Sequence, residues 1–379
     1  PEASAGGGER VSVGNMKIAI IGCGAIARNR HAPAVAANPV AELYAVCDPV
    51  KSNADTLAEK YSAKAFYDMD ALLQDPAVDA VIICTPERFH CANVTAALVA
   101  GKDVLCEKPL AMNPAEGAAI LQAWQQSGRR LMVAFAQRLN EEHQLAKKLL
   151  TEGAIGRPIA FRTELAHKGV EYAAIDGPTP DFYDKRLAGV GDVMLSVGCH
   201  RVDLVRYLFD SPIRVVSAMT PTIDKSYADG RPIDAADHAM ILAEMENGVR
   251  GAIWISWCDY GRPERGTTIY GTDGVMRLYA GPGVVVEKRD GSVQEYEVPK
   301  DPHAWLRITD HFIAVLRGDT QPVCDGYDGQ ACLEAMEAIR RSNAQGRRVL
   351  VEQSEQAYQP TGTESNTMQA GDNLWDDTY

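Results

Sequence analysis

The amino-acid sequence predicts an α/β architecture. An N-terminal Rossmann doubly wound parallel sheet is expected, followed by a C-terminal α+β domain with an open, mostly antiparallel sheet. Three observations predict it. Over the first 137 residues, short apolar runs alternate with helical patterns, the rhythm of a parallel sheet with right-handed crossovers. The first apolar run, KIAII, passes directly into GCGAIA, where a strand hands over to a helix. Beyond residue 138 the alternation gives way to short strands separated by turn sequences.

Apolar runs at 17–21, 42–47, 79–84, 103–106 and 131–135 are the parallel strands. They are continuously apolar, as strands covered by helices on both faces must be. Helical patterns at 25–36, 51–60, 88–100 and 114–127 connect them. A helix over 141–153 leads into the strand IGRPIAFRTEL, a long loop over 168–191 and a helix through 195–208. Turns at ENG (246–248), GTDG (271–274) and RDGS (289–292) mark hairpins. Helices return at 303–317 and 328–344, and no internal repeat occurs. The expected division is a flexible extension (1–15), a nucleotide domain (16–137), a substrate and oligomerisation domain (138–350) and a polar tail (351–379). Met16 is a plausible natural start.

Composition narrows the function. The chain has 379 residues, 46% hydrophobic and 23% charged, an ordinary globular balance. Its net charge of −13 argues against nucleic acid, whose binders concentrate Lys and Arg. No apolar run approaches the roughly 20 residues that span a membrane. The nine cysteines include no CxxC pair, so reduced thiols in a cytoplasmic protein are expected, with no metal site.

Gly22, Gly24, Ala25 and Ile26 belong to a GxGxx(G/A) pattern ending at Ala27. The first glycine permits a tight turn, and the second lets a pyrophosphate approach a helix N-terminus. Asp48 closes the second strand, where an acid suits ribose hydroxyls and repels a 2′-phosphate. NAD is therefore expected over NADP, with Lys51 and Lys64 nearby. Thr85 and Pro86 follow the next central strand in CTPERFH, with His90 one helical turn later. Glu107 and Lys108 follow the strand DVLC at the same sheet edge. A lysine in a pocket can hold an alcohol oxygen and stabilise a developing alkoxide.

GCGAIA, then CD, CTPERFH and CEKPLA, in this order, resemble the glucose–fructose oxidoreductase / inositol dehydrogenase / MocA family across residues 16 to about 350. The resemblance implies oxidation or reduction of a carbinol carbon in sugars, inositols or related cyclic alcohols with NAD(P). It implies that Lys108 meets nicotinamide ribose and substrate, and that Gln137 lines the cofactor cleft. GVGDVMLSVGCHRVD (189–203) is similar to the family's GGxxxDxGxHxxD motif, matching at Gly198, His200 and Asp203. His200 is then the general acid/base, an imidazole whose ordinary pKa of roughly 6.5 suits proton exchange. Ser196 stands where the family usually has Asp. Asp192, four residues upstream, either shares a face with Ser196 and His200 and replaces that carboxylate, or caps the helix. Ser196, Asp192, Asp203 and Arg138 are the expected substrate contacts. The loop over 162–190 offers His167, Lys168, Tyr172, Asp181, Tyr183, Lys185 and Arg186 as further ones.

The leading expectation is an NAD-dependent dehydrogenase of a secondary hydroxyl, acting as a homodimer or homotetramer. Competing readings are a redox-neutral NAD-dependent lyase or glycosidase, a dihydrodiol dehydrogenase, and a non-catalytic NAD-binding sensor.

Overall fold

A computed structural model describes residues 15–173, 192–261, 265–280, 283–299, 301 and 304–354. The first sheet has six strands: β1 (Met16–Ile21), β2 (Ala41–Cys47), β3 (Lys64–Phe66), β4 (Ala80–Ile83), β5 (Asp103–Cys106) and β6 (Leu131–Val133). Their order is β3-β2-β1-β4-β5-β6, every pair parallel. This is the doubly wound order, and it reverses between β1 and β4, where such sheets open a crevice for ligands. Ile18, Ala19 and Ile20 of β1 and all of β4 are fully buried, which explains their unbroken apolar sequence.

The connections follow the expected pattern with three differences. The helix after β1 begins at residue 25 but carries a π-helical segment, Ala27–His31, before α1 (Ala32–Ala37). β3, KAF, is a half-buried edge strand too short to mark itself as an apolar run. The short helix after it stands on its cap, the Asp68 side chain accepting from the Ala71 N–H. The α-helices Lys51–Tyr61, His90–Val99 and Pro114–Ser127 lie where expected, the second preceded by a 3₁₀ turn, Glu87–Phe89.

The second sheet has nine strands: β7 (Pro158–Ala166), β8 (Ile213–Met219), β9 (His238–Met245), β10 (Arg250–Ser256), β11 (Thr267–Gly271), β12 (Gly274–Ala280), β13 (Gly283–Lys288), β14 (Val293–Glu297) and β15 (Val349–Leu350). They run in the order β14-β13-β12-β11-β7-β10-β9-β8-β15. Only β7 and β10 pair parallel; the other pairs are antiparallel. The three expected turns join β9 to β10, β11 to β12 and β13 to β14. One face packs on the helices Glu141–Thr151, Cys199–Phe209 and Gly326–Gln345. The opposite face leaves Met219, Leu242, Trp254, Ile159 and Tyr270 exposed.

The chain then returns to the first sheet. The helix Arg307–Arg317 buries Ile308, Phe312 and Ile313 against Ile18, Ile20 and Leu105. The Val133 N–H donates to the Cys324 carbonyl at 3.2 Å, tying β6 to the segment before the last long helix. No described helix is long and apolar enough to cross a membrane.

Candidate active site

The glycine turn is shaped by its neighbours. Gly22 has φ +93°, and a Cβ there would lie 2.7 Å from the Cys84 carbonyl and the Thr85 nitrogen. Only glycine lets β1 end this close to β4. At Gly24 a Cβ would meet nothing within 4 Å, so the space over the helix start is open. The Asp48 carboxylate accepts from the Cys23 N–H at 2.9 Å and from the Val50 N–H at 2.8 Å. It thereby braces the glycine turn from the end of β2. Ala25 and Ile26 open the helix beneath that space. An open glycine and a helix N-terminus form the cradle a pyrophosphate needs.

Lysines 51 and 64 turn elsewhere. Lys51 Nζ lies 5.1 Å over the Tyr67 ring, and Lys64 is held by Tyr44 and Asp75.

The π segment contributes what sequence reasoning missed. Arg30 Nη1 reaches Glu107 Oε1 at 3.2 Å, and His31 Nε2 reaches the same oxygen at 3.0 Å. Glu107 Oε2 accepts from the backbone N–H of Lys108 at 3.1 Å. Burial works to raise the Glu107 pKa, but the His31 hydrogen bond and the Arg30, His31 and Lys108 charges hold it far below the usual carboxylate range. Glu107, expected to touch the cofactor, is 5% exposed and instead anchors the Lys108 turn. The basic run ARNRH directly after the glycines was the one available signal.

His90 differs from expectation in the same way. It is 1% exposed, with its ring nitrogens 2.9 Å from the Thr85 carbonyl and 2.7 Å from the Pro109 carbonyl. It holds the Thr85–Pro86 turn to the Lys108 turn from behind. Thr85 Oγ1 accepts from the Asn93 amide at 3.0 Å.

Lys108 spans the two sheets. Its ammonium donates to the Ser196 carbonyl at 2.8 Å. Ser196 lies in a π segment, Met194–Gly198, that runs into the helix Cys199–Phe209 carrying His200. The Cys199 N–H reaches back five residues to the Met194 carbonyl, the signature of a π turn. His200 thus sits one turn beyond the lysine contact. Burial, reinforced by the Lys108 charge, pushes the His200 pKa well below the ordinary imidazole value. Its Nδ1 is enclosed and has no hydrogen-bond partner among the described residues. No carboxylate orients the ring from position 196.

Asp192 takes the capping role. Its Oδ1 accepts from the Leu195 N–H at 2.9 Å, three residues on, as an N-cap does. The Ser196 N–H still donates to the Asp192 carbonyl at 3.2 Å, and the π turn breaks the four-residue spacing from Ser196 to His200 that a plain α-helix would give. Asp192 lines a cavity of about 100 Å³ with Met112, Met194, Leu333 and Met336, and neither Lys108 nor His200 borders it.

Arg138 and Asp203, expected to bind substrate, are corrected by their partners. All five Arg138 donors are engaged: on Asp203 at 2.9 and 2.6 Å, on Asp328 at 3.0 and 2.8 Å, and on the Val323 carbonyl at 2.9 Å. Asp203 is 1% exposed and Arg138 6%. The cluster pins the crossover between the sheets to the His200 helix and to the last long helix. Gln137 accepts through its carbonyl from His143 Nδ1 at 2.7 Å, and its Oε1 lies 3.4 Å from Arg201 Nη1. Burial pushes His143 down to about 3, so its neutral ring donates at Nδ1 and accepts the Tyr279 hydroxyl at Nε2, 3.0 Å away.

In the loop, His167 Nδ1 accepts from the Gly169 N–H at 3.0 Å, and Lys168 Nζ lies 4.3 Å over the Tyr172 ring. Asp181, Tyr183, Lys185 and Arg186 lie outside the described residues. All nine cysteines are free thiols. Asp237, His238 and Cys258 place potential ligand atoms within 4.8 Å of one another. The Asp237 carboxylate, however, accepts the Ile223, Asp224 and Lys225 amides at 2.8 Å each. Burial and the Asp237 charge push the Cys258 thiol up to about 12, so this set secures a loop.

Residues 16–135 match the NAD-binding Rossmann fold of the GFO/IDH/MocA oxidoreductase family, and residues 143–277 match a GFO/IDH/MocA C-terminal domain. Similar proteins include inositol 2-dehydrogenase of Acidothermus cellulolyticus, 30% identical over 86% of this chain and 92% of the relative. D-apiose dehydrogenase of Paraburkholderia graminis is 28% identical over 89% of this chain and 90% of its own length. Among solved structures, levoglucosan dehydrogenase in complex with NADH superposes with a TM-score of 0.79 at 25% identity, covering 90% of this chain and all of that one.

The Arg138 cluster makes a prediction that separates a structural pin from a substrate contact. Arg138→Ala leaves Asp203 buried with only the longer 3.8 Å ion pair to Arg206, a loss of about 3–5 kcal/mol. Chemical unfolding should show that loss. A variant with wild-type stability and only a raised KM would return Arg138 to the substrate.

Proposed function

The chain belongs to the GFO/IDH/MocA oxidoreductase family, and from that premise we propose that it oxidises or reduces a secondary hydroxyl of a sugar or cyclic polyol. The observation that carries this is the 2.8 Å contact from Lys108 to Ser196. It brings a cationic donor at the carboxyl edge of the nucleotide sheet to the helix that bears a neutral, buried imidazole. Gly22, Gly24, Ala25 and Ile26 cradle the pyrophosphate of NAD, and Asp48 offers its remaining lone pairs to the adenosine ribose, favouring NAD over NADP. Thr85, Pro86 and Gln137 line the nicotinamide side. NAD, when bound, supplies the hydride acceptor.

The protein's own groups do the rest. Lys108 holds the substrate oxygen and stabilises charge as it develops there. His200, neutral because it is buried, takes the hydroxyl proton in oxidation and returns it in reduction. Ser196 stands beside the same space and offers a hydroxyl in place of the usual carboxylate. Residues 16–137 serve as the cofactor unit and 138–350 as the substrate unit. The exposed apolar face of the nine-stranded sheet is covered by another copy of the chain, giving a dimer or tetramer. Sedimentation velocity at micromolar concentration should show one of these; a monomer would remove that part of the proposal.

The first experiment mixes protein and NAD with monosaccharides, anhydrosugars, inositols and ring diols, following NADH absorbance and product mass. One compound class should generate NADH in step with oxidised product. Lys108→Ala and His200→Ala should each lower kcat by about 10²–10⁴-fold while NADH affinity stays within a few fold. Substrate consumed without net NADH would overturn the dehydrogenase reading.

The pH dependence follows from His200. Its ordinary value is 6.5 and its folded value lies well below that. The base form is therefore populated at and below pH 6.5. The acid limb of kcat/KM in the oxidation direction should fall below pH 6.5. A limb centred at or above 6.5 would assign the proton to another group.

A further inference from the structure

Buried carboxylates around the cleft are matched, with one exception. Glu107 has Arg30, His31 and the Lys108 N–H. Asp48 has two backbone amides, and Asp203 has Arg138. Glu87 has none of these. It is 8% exposed, its Oε2 is enclosed without a hydrogen-bond partner, and it enters no ion pair among the described residues. Asp259 and Glu334 each have one such orphan oxygen, but their second oxygens accept from Gly261 and from Gln330. Arg88, next in sequence, lies over the Phe89 ring at 4.7 Å.

The place of Glu87 says what it lacks. It follows Thr85–Pro86 and opens the 3₁₀ turn Glu87–Phe89 at the carboxyl end of β4. The turn that carries it is held from behind by His90 on the Thr85 carbonyl and by the Asn93–Thr85 bond. The Cys199 thiol, beside His200, lies within the fields of both Lys108 and Glu87. Glu87 therefore stands at the carboxyl end of β4, near enough to the His200 helix for its charge to act on Cys199. In the order β3-β2-β1-β4-β5-β6, β1 to β3 serve the adenosine half of a dinucleotide and β4 to β6 the other half. A buried carboxylate without donors costs the folded protein stability. A ligand that brings donors to it recovers that cost.

We propose that Glu87 accepts the hydroxyls of the nicotinamide-side ribose, fixing the reactive half of the cofactor beside Lys108 and His200. A vicinal diol presents two parallel O–H donors, the counterpart of a carboxylate's two oxygens. The proposal rests on the NAD reading of the glycine turn, and it makes Glu87 a binding group of that same site.

The test compares NADH with ADP, which carries only the adenosine half, on wild type, Glu87→Gln and Glu87→Asp, by fluorescence and calorimetric titration without substrate. Glu87→Gln should weaken NADH roughly ten-fold or more, the loss expected when a charged acceptor is removed. ADP affinity should stay within two-fold. The apo melting temperature should hold or rise, because an unpartnered buried charge is gone. Glu87→Asp, one methylene short with the charge kept, should fall between wild type and Glu87→Gln for NADH. Unchanged NADH affinity in Glu87→Gln overturns the assignment, whatever the substrate kinetics. So does an equal loss for NADH and ADP, or a lowered apo melting temperature, either of which would make Glu87 a structural group. A wild type that binds neither nucleotide overturns the NAD reading itself.

Discussion

The Lys108 ammonium lies 2.8 Å from the Ser196 carbonyl, and neither half of the protein can make that contact alone. One partner ends a strand of the parallel sheet; the other sits in the helix laid against the antiparallel one. Each is prepared locally. Glu107, itself clamped by Arg30 and His31, sets the lysine turn. The π segment at Met194–Gly198 changes the helix's hydrogen-bond ladder where the lysine docks. Two π segments, one in each half, thus flank the same contact, in line with their frequent occurrence at functional sites.

The electrostatics of the cleft follow from that arrangement. Arg30, Lys108 and Arg201 all disfavour a charged His200, on top of its burial. A neutral imidazole is the form that can take a proton. The His31 hydrogen bond, with Arg30 and Lys108, keeps Glu107 ionised, so an anion and a neutral base coexist around one lysine. Arg201 itself is 1% exposed, and burial pushes it down to about 10, while Lys108 and Arg30 supply a positive field to this interior. An alkoxide developing on a substrate oxygen would be stabilised in it.

Stability and function are separated by partner saturation. Arg138, Asp203 and Asp328 satisfy one another completely, which makes them a pin between the crossover and two helices. His200 Nδ1 and Glu87 Oε2 are left without partners among the described residues, as are Arg30 Nε and Arg201 Nε. A buried polar group with no partner is rare in folded proteins.

The sequence by itself determined the periodic features. Continuous apolar runs, a glycine pattern at a strand end and turn dipeptides between short strands are local signals, and they placed the parallel sheet, the hairpins, the Lys108 turn and the His200 helix correctly. β3 was invisible because three half-buried edge residues make no pattern. Tertiary structure alone decided which polar residues face inward and what meets them. Arg138 and Asp203 look like site residues by motif, yet they find each other 65 positions apart. His31 and Glu107 meet across 76 positions, and Glu87 is notable only for the partners it fails to meet. Pairing and its absence are properties of three-dimensional packing, set by long-range contacts for which a one-dimensional pattern carries no period.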